Sequence, residues 1–136
     1  MTTPAADAPF DPHAFPADLL AAQLRLTELY AALHAHQAAL PWSREPSEGW
    51  AAEEERGRQR SGRPETEGWA PDAAAKFDSL LKDLREAAAT VQCHPHWKAC
   101  QANGVVGPEL VAARQALKHA PGAAAPLGQD DVRTAA

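Results

Sequence analysis

Aromatic residues are scarce in this sequence, where Phe, Trp and Tyr make up only 6% of 136 residues. Alanine is abundant instead; it favours helices but buries little surface, whereas each large apolar side chain contributes roughly 1.5–3 kcal/mol on full burial. The core must therefore depend on a few leucines, on Phe77 and on four tryptophans. A core this small predicts a marginally stable helical domain that gains stability from a partner.

An excess of basic residues is also missing. The chain has 18 acidic and 13 basic residues, which gives a net charge of −5. Nucleic-acid binding depends on phosphate contacts and therefore on a basic surface. Arg56, Arg58, Arg60 and Arg63 are close together, but they follow residues 53–55, which are all glutamate, so the local charge nearly cancels. This pattern favours a solvent-exposed loop over a phosphate site and argues against nucleic acid as a partner.

Signals for secretion and membrane insertion are absent from the sequence as well. Residues 1–8 contain neither a basic start nor an apolar run. Gln23, Arg25 and Glu28 interrupt the longest apolar stretch, so no segment is expected to span a membrane. Two cysteines without a secretory signal do not form a disulfide framework. The sequence therefore predicts a cytoplasmic protein that makes no membrane contact.

Residues 16–40 show the periodicity of a helix that ends at Pro41. Apolar positions recur at coiled-coil spacing, with Leu19, Leu26, Leu33 and Leu40 at one seam position and Ala22, Leu29 and His36 at the other. Such a seam predicts contact with another helix, from the same chain or from a second copy. Leu24 lies nearly opposite the seam and is a candidate interaction residue.

A second helix with an apolar stripe is predicted to begin near Pro71 or Asp72, with Asp72 as the candidate N-cap, and to end before Pro95. The members of this second stripe are Phe77, Leu80, Leu81, Leu84, Ala87, Ala88 and Val91. Two helices of matching length predict an antiparallel hairpin. A third, shorter helix over residues 107–120 would pack on it. The predicted fold is therefore all-α: a two-helix hairpin with a long irregular connection and a third C-terminal helix, in one domain (16–120) between disordered tails (1–15 and 121–136).

Residues 41–70 contain repeated Pro and Gly and predict a long irregular loop. A short phrase recurs in this loop, as Ser47-Glu48-Gly49-Trp50-Ala51 and as Thr66-Glu67-Gly68-Trp69-Ala70. The repetition is either chance or a pair of similar turns that each deliver a tryptophan onto the helices. Trp42, Trp50 and Trp69 are therefore either covers for a thin core, which we favour, or anchors of an interface.

The candidate for chemistry is the octapeptide Cys93-His94-Pro95-His96-Trp97-Lys98-Ala99-Cys100. Tetrahedral zinc takes four Cys or His ligands, and Cys93, His96 and Cys100 lie within one or two helical turns, with His94 or His119 as the fourth. The second close pair of ligands that zinc sites usually have is missing. The alternative is that both cysteines are small core residues. Cys93 beside His94 is a weak candidate nucleophile, because sequence neighbours on a helix point in different directions.

Motifs of the common enzyme classes are absent from the sequence. The chain also has few large residues with which to build a deep pocket. His34 and His36 have no Glu-x-x-His partner and are interpreted as structural. The leading hypothesis is a non-enzymatic adaptor or accessory protein that binds a protein partner or a second copy through its helices. The alternative is a small zinc-binding or regulatory module at Cys93–Cys100. A small enzyme and a DNA-binding protein rank lower.

Overall fold

The computed structural model describes residues 9–123 and is mainly helical within that range. Its elements are α1 (Ala17–Ala38), β1 (Glu53–Glu55), β2 (Arg58–Arg60), α2 (Pro71–Gln92), α3 (Pro95–Ala102) and α4 (Pro108–Leu117). The prediction of a mainly helical chain is confirmed. The prediction that the chain has no strands was wrong, because β1 and β2 form a short antiparallel pair. Of the predicted tails, residues 1–8 and 124–136 lie outside the described residues.

The described chain divides into two compact units, and α1 and α2 contribute to both. We call residues 9–30 and 83–123 the helical unit and residues 31–82 the ribbon unit. The core of the helical unit contains Leu19, Leu26, Leu29, Leu84, Val91, Trp97, Cys100, Val105, Ala113, Leu117 and Ala123. Its largest fully buried side chains are Leu19, Leu117 and Cys100. The core is small, as the scarcity of large apolar residues implies.

Proline marks the beginning of each long helix. The carbonyl oxygen of Pro16 accepts hydrogen bonds from the N–H groups of Leu19 and Leu20, at 3.1 and 3.0 Å, and these bonds form the first turn of α1. Pro71 is the first residue of α2, a position where its missing N–H costs little. Asp72 lies within the first turn, so its prediction as the N-cap was wrong. Its negative charge there favours the helix dipole.

Residues 44–69 were predicted to be irregular, but they form an antiparallel β-ribbon in one continuous register. The N–H and carbonyl groups of Ser47 and Thr66 bond each other at 2.9 Å in both directions, and Trp50 pairs with Arg63 in the same way. Farther along, Glu53 faces Arg60 and Glu55 faces Arg58 in β1 and β2. Opposite charges therefore face each other across the strands, which explains how a run of glutamates followed by arginines forms a hairpin.

The two copies of the repeated phrase meet at their first residues, Ser47 and Thr66, and extend from this pair in opposite directions along the ribbon. In each copy a hydroxyl oxygen accepts from the glycine N–H two residues on: Ser47 Oγ from Gly49 and Thr66 Oγ1 from Gly68, both at 3.1 Å. Both glycines have positive φ angles, and a Cβ atom on Gly49 would collide with the carbonyl oxygen of Arg63. The repetition therefore encodes two equivalent turns, one on each side of the Ser47–Thr66 pair.

Side chains of the ribbon unit fasten the ribbon to itself and to the neighbouring helix segments. The indole N–H groups of Trp42, Trp50 and Trp69 donate to the carbonyl oxygens of Pro64, Ser61 and Pro41 at 2.7, 3.0 and 2.9 Å. Arg44 binds Asp78 with both guanidinium nitrogens, at 2.7 and 2.8 Å. His36 Nε2 lies 2.8 Å from the carbonyl oxygen of Ala73, which agrees with the structural role predicted for this histidine.

Candidate binding groove

The octapeptide at Cys93–Cys100 builds helix α3 and positions it on the helical unit. His94 is the N-cap of α3, and its Nδ1 accepts a hydrogen bond from the His96 N–H at 3.0 Å. Pro95 follows as the first helical residue, where proline is favourable. Because Nδ1 accepts, the ring proton is on Nε2, which donates to Asp18 Oδ2 at 3.0 Å. His94 thus connects the beginning of α3 to the beginning of α1.

His96 is buried and joins α3 to the segment that precedes α1. Its Nε2 lies 2.9 Å from the carbonyl oxygen of Pro12. The His96 ring contacts Phe10 and Phe15, with centroid distances of 6.1 and 5.6 Å, and it lies 5.1 Å from the ring of Trp97. Residues 10–15 therefore cover α3 with aromatic side chains.

Trp97 is held in place from three sides. Its indole N–H donates to the carbonyl oxygen of Val91 at 2.7 Å, and Phe15 packs against it with a centroid distance of 6.4 Å. The guanidinium carbon of Arg114, from α4, lies 4.6 Å from the centre of the Trp97 ring. Only 3% of Trp97 is exposed. The Trp97 ring is therefore held in one position, just beneath the surface of the helical unit.

That surface is an open groove between segments of α1, α2, α3 and α4, which we call the Trp97 groove. It has a volume of about 650 Å³ and is lined by Gln23, Leu26, Thr27, Tyr30, Ala88, Val91, Gln92, Trp97, Arg114, Gln115, Leu117 and Lys118. Leu26, Val91 and Leu117 are buried and form an apolar floor with Trp97. Tyr30 is 55% exposed at the edge. A volume of this size lies in the range of ligand-binding sites.

The lining of the Trp97 groove is positively charged. Arg114 and Lys118 lie one helical turn apart, and none of the lining residues is Asp or Glu. The whole chain, by contrast, has more acidic than basic residues. The groove is therefore a local positive region on an acidic protein, which attracts ligands that carry negative charge.

The structure does not bring the predicted zinc ligands together. Cys93 is exposed while Cys100 is fully buried, and burial raises the pKa of the Cys100 thiol against the opposing charge of Arg114. The Nε2 atom of His96 is engaged with Pro12, and His119 is exposed beyond the end of α4. Within residues 9–123, no three His, Cys, Asp or Glu side chains are arranged to hold a metal ion. Both ring nitrogens of His94 have partners, so His94 is not free to act as a base for Cys93.

The predicted interaction residues lie outside the Trp97 groove. Leu24 is half-buried on α1. In the ribbon unit, Trp42 and Trp69 are half-buried and Trp50 is 43% exposed. Each of these three rings has a guanidinium group over it, at 5.7 Å for Trp42, 5.6 Å for Trp69 and 5.3 Å for Trp50. Their hydrogen bonds give all three a role in holding the ribbon, and an additional role in an interface stays a prediction.

The groove residues that the sequence did not reveal are Tyr30, Arg114 and Lys118. Arg114 and Lys118 are four residues apart and hence on one face of a helix, which is a signal the sequence contains. Nothing in the local sequence indicates that this face lies beside Trp97, because the turn at Asn103 and Gly104 sets the direction of α4. The Val105 N–H bonds back to the Cys100 carbonyl oxygen at 2.9 Å across that turn.

Comparison with known proteins places the chain in a family. Among the helices of residues 9–123, none combines the length and the hydropathy that a membrane-spanning helix requires. No curated protein and no solved structure matches the chain. Residues 18–120 match the family of a domain of unknown function, DUF8825, and this range begins at Asp18 and includes every residue that lines the Trp97 groove. Since the match covers most of the sequence, the chain belongs to the DUF8825 family.

Proposed function

We propose that this protein is a non-enzymatic interaction module that binds an amphipathic helical segment of a partner protein in the Trp97 groove. In this mode of recognition, apolar side chains on one face of the bound helix enter an apolar groove. The observation that carries the proposal is the groove itself, an open volume of about 650 Å³ over a buried apolar floor. Its positive lining supplies the charge complementarity for a segment that also carries acidic residues.

Two features of the helical unit support this proposal. Tyr30 exposes more than half of its surface at the groove edge, and tyrosine is common at interfaces because it combines an apolar ring with a polar tip. The core is also small, with Leu19, Leu117 and Cys100 as its largest fully buried side chains. Apolar side chains from a partner would extend this core across Leu26 and Leu117.

Simple energetics favour a segment with several anchors over a single inserted side chain. Burial of one leucine-sized side chain contributes roughly 1.5–3 kcal/mol. A micromolar complex requires about 8 kcal/mol, after the cost of association has been met. With about 4 kcal/mol as the lowest value of that cost, the total is about 12 kcal/mol, so at least four such side chains, or fewer with a charged contact, are needed. An amphipathic helix presents its anchors at this density on one face.

Site-specific photocrosslinking tests the proposal. A photoreactive phenylalanine analogue is introduced at Tyr30 in the full chain, expressed at native level in its own host. The matched control carries the analogue at Val111, which is 57% exposed in the same unit but does not line the groove. Crosslinked peptides are then identified by mass spectrometry.

The expected result is that position 30, but not position 111, crosslinks to one defined segment of another protein with apolar residues at helical spacing. A synthetic peptide of that segment should bind the purified chain, and Tyr30→Ala should weaken binding several-fold while Val111→Ala leaves it unchanged. Equal crosslinking at the two positions would overturn the proposal. So would crosslinks from position 30 that reach only a second copy of this chain.

A further inference from the structure

We infer that the Trp97 groove recognises a carboxylate group and that Arg114 is the residue that binds it. The inference rests on the proposed function and specifies the chemistry of the partner: an acidic side chain placed next to the apolar anchors of the bound helix. Arg114 belongs to α4, and its guanidinium carbon lies 4.6 Å from the centre of the Trp97 ring.

The cation–π contact with Trp97 holds the Arg114 guanidinium group, and none of the side-chain hydrogen bonds found within residues 9–123 uses its donors. A guanidinium that lies over an aromatic ring keeps the N–H groups of its edge available, and these match the two oxygens of a carboxylate. The Trp97 ring is itself fixed by its hydrogen bond to Val91. Since the platform is fixed, less conformational freedom is lost when a ligand binds.

The charges around Arg114 also favour a carboxylate ligand. The two salt bridges found within residues 9–123 join Arg44 to Asp78 and His94 to Asp18, so neither involves Arg114. The residues that line the groove contribute no carboxylate, and Lys118 adds a second positive charge one turn along α4. Arg114 is half-buried, and a charge-assisted hydrogen bond is stronger where water is partly excluded.

A purely structural role for Arg114 makes a different prediction. If its side chain served only to cover Trp97, the groove would bind apolar ligands without regard to charge. Three probes of the same size distinguish the two roles: 4-phenylbutyrate, 4-phenylbutanol and 4-phenylbutylammonium. They share a phenylpropyl body and differ only in the terminal group. Binding is followed by amide and indole NMR shifts of the full chain.

The expected result is that 4-phenylbutyrate binds at least tenfold more tightly than 4-phenylbutanol, with 4-phenylbutylammonium weakest. Arg114→Gln should remove most of the preference for the carboxylate, and Lys118→Gln should reduce it by a smaller factor. Arg85→Gln is the matched control, because Arg85 is an exposed cation of the same unit outside the groove. It should leave the preference unchanged.

Equal binding of 4-phenylbutyrate and 4-phenylbutanol by the unmodified chain would overturn the inference, and this comparison does not depend on whether Arg114→Gln folds. A preference that survives in a folded Arg114→Gln variant would overturn it as well. The proposed function fails separately: if the carboxylate preference is present but position 30 crosslinks to no protein segment, the groove binds a small carboxylate instead of a helix.

Discussion

Asp18 and His94 are 76 positions apart in the sequence, yet their side chains meet where α1 and α3 begin, with 3.0 Å between Asp18 Oδ2 and His94 Nε2. The same His94 ring caps α3 through its other nitrogen. One histidine therefore connects the beginnings of two helices.

This contact should make stability depend on pH. The hydrogen bond from His94 holds the pKa of Asp18 below its ordinary value. A group whose pKa is lower in the folded state stabilises the fold above its unfolded pKa, about 4, and this stabilisation is lost as the pH falls through the folded pKa. We expect Asp18→Asn to lower the free energy of unfolding at pH 7 and the difference from the unmodified chain to shrink by pH 3. Urea unfolding at the two pH values measures both.

A control variant separates the stabilisation by the Asp18–His94 contact from the stabilisation that any carboxylate in the first turn of a helix gives through the helix dipole. Asp72 lies in the first turn of α2, as Asp18 does in α1. We therefore expect the loss caused by Asp72→Asn at pH 7 to be smaller than that caused by Asp18→Asn. A difference between Asp18→Asn and the unmodified chain that stays constant from pH 7 to pH 3 would contradict the assigned role of the Asp18–His94 contact.

Substitutions at His94 should separate its two contacts. His94→Ala removes both the N-cap of α3 and the partner of Asp18, and loss of an N-cap alone costs about 1 kcal/mol. His94→Asn retains an N-cap acceptor but loses the bond to Asp18. We expect both variants to unfold at lower urea concentration than the unmodified chain, with His94→Asn intermediate. Identical midpoints for the two variants would show that the cap contributes nothing.

The glycines of the ribbon unit should differ in their tolerance of alanine. Gly57 and Gly68 both have positive φ, at 79° and 84°. A Cβ atom at Gly57 would meet nothing within 4 Å, whereas one at Gly68 would lie 2.5 Å from the carbonyl oxygen of Arg44. Gly57→Ala should therefore cost only the left-handed strain, about 1 kcal/mol. Gly68→Ala should cost more, because the backbone must move apart.

Amide exchange measures this difference at a single bond. The Trp69 N–H donates to the Arg44 carbonyl oxygen at 2.9 Å, directly beside Gly68. Its exchange with deuterated water should accelerate strongly in Gly68→Ala and little in Gly57→Ala. Similar exchange rates in the two variants would mean that the close approach of the two ribbon arms is not maintained in solution.

Zinc should have no effect on the stability of the fold. Cys93 is exposed, Cys100 is buried and the other predicted ligands are apart. A structural zinc site contributes on the order of 10 kcal/mol to folding, which is easily detected. We expect the melting temperature to be the same with one equivalent of zinc as with a chelator. A rise on zinc addition that Cys93→Ser abolishes would restore the zinc-module hypothesis.

The sequence predicts α1, α2 and α4 well because their signals are local, whereas α3 was not predicted as a separate helix. Leucine spacing and Pro41 locate α1 to within two residues at each end, and each of the seven residues of the second stripe is buried or half-buried on α2. The ribbon was missed because β1 and β2 consist of exposed Glu, Arg and Gln, which show neither alternation nor β-branched residues. The sequence contains two signals of the ribbon, namely the repeated phrase and the opposite charges of the two arms. Both can be recognised only after the two arms have been paired with each other.

The groove could not be predicted for a related reason. Its lining combines residues from four helices, and sequence periodicity does not determine how α4 is placed beside Trp97. Arg114 resembles any other exposed helical cation until its contact with the Trp97 ring is known. Trp97 itself was predicted as one of four core tryptophans and as part of the candidate zinc segment, and neither prediction indicated a groove.

The single register of the ribbon limits which changes of length the ribbon unit can accept. Insertion of one residue into either arm would move Ser47 away from Thr66 and turn every later side chain to the opposite face. Deletion of one residue from each arm, at facing positions, leaves the remaining pairs intact. Deletion of two such facing pairs also preserves the alternation of hydrogen-bonded and open positions at the turn. The tip around Gly57 can therefore lengthen or shorten by four residues at a time, while Ser47 and Thr66 stay paired.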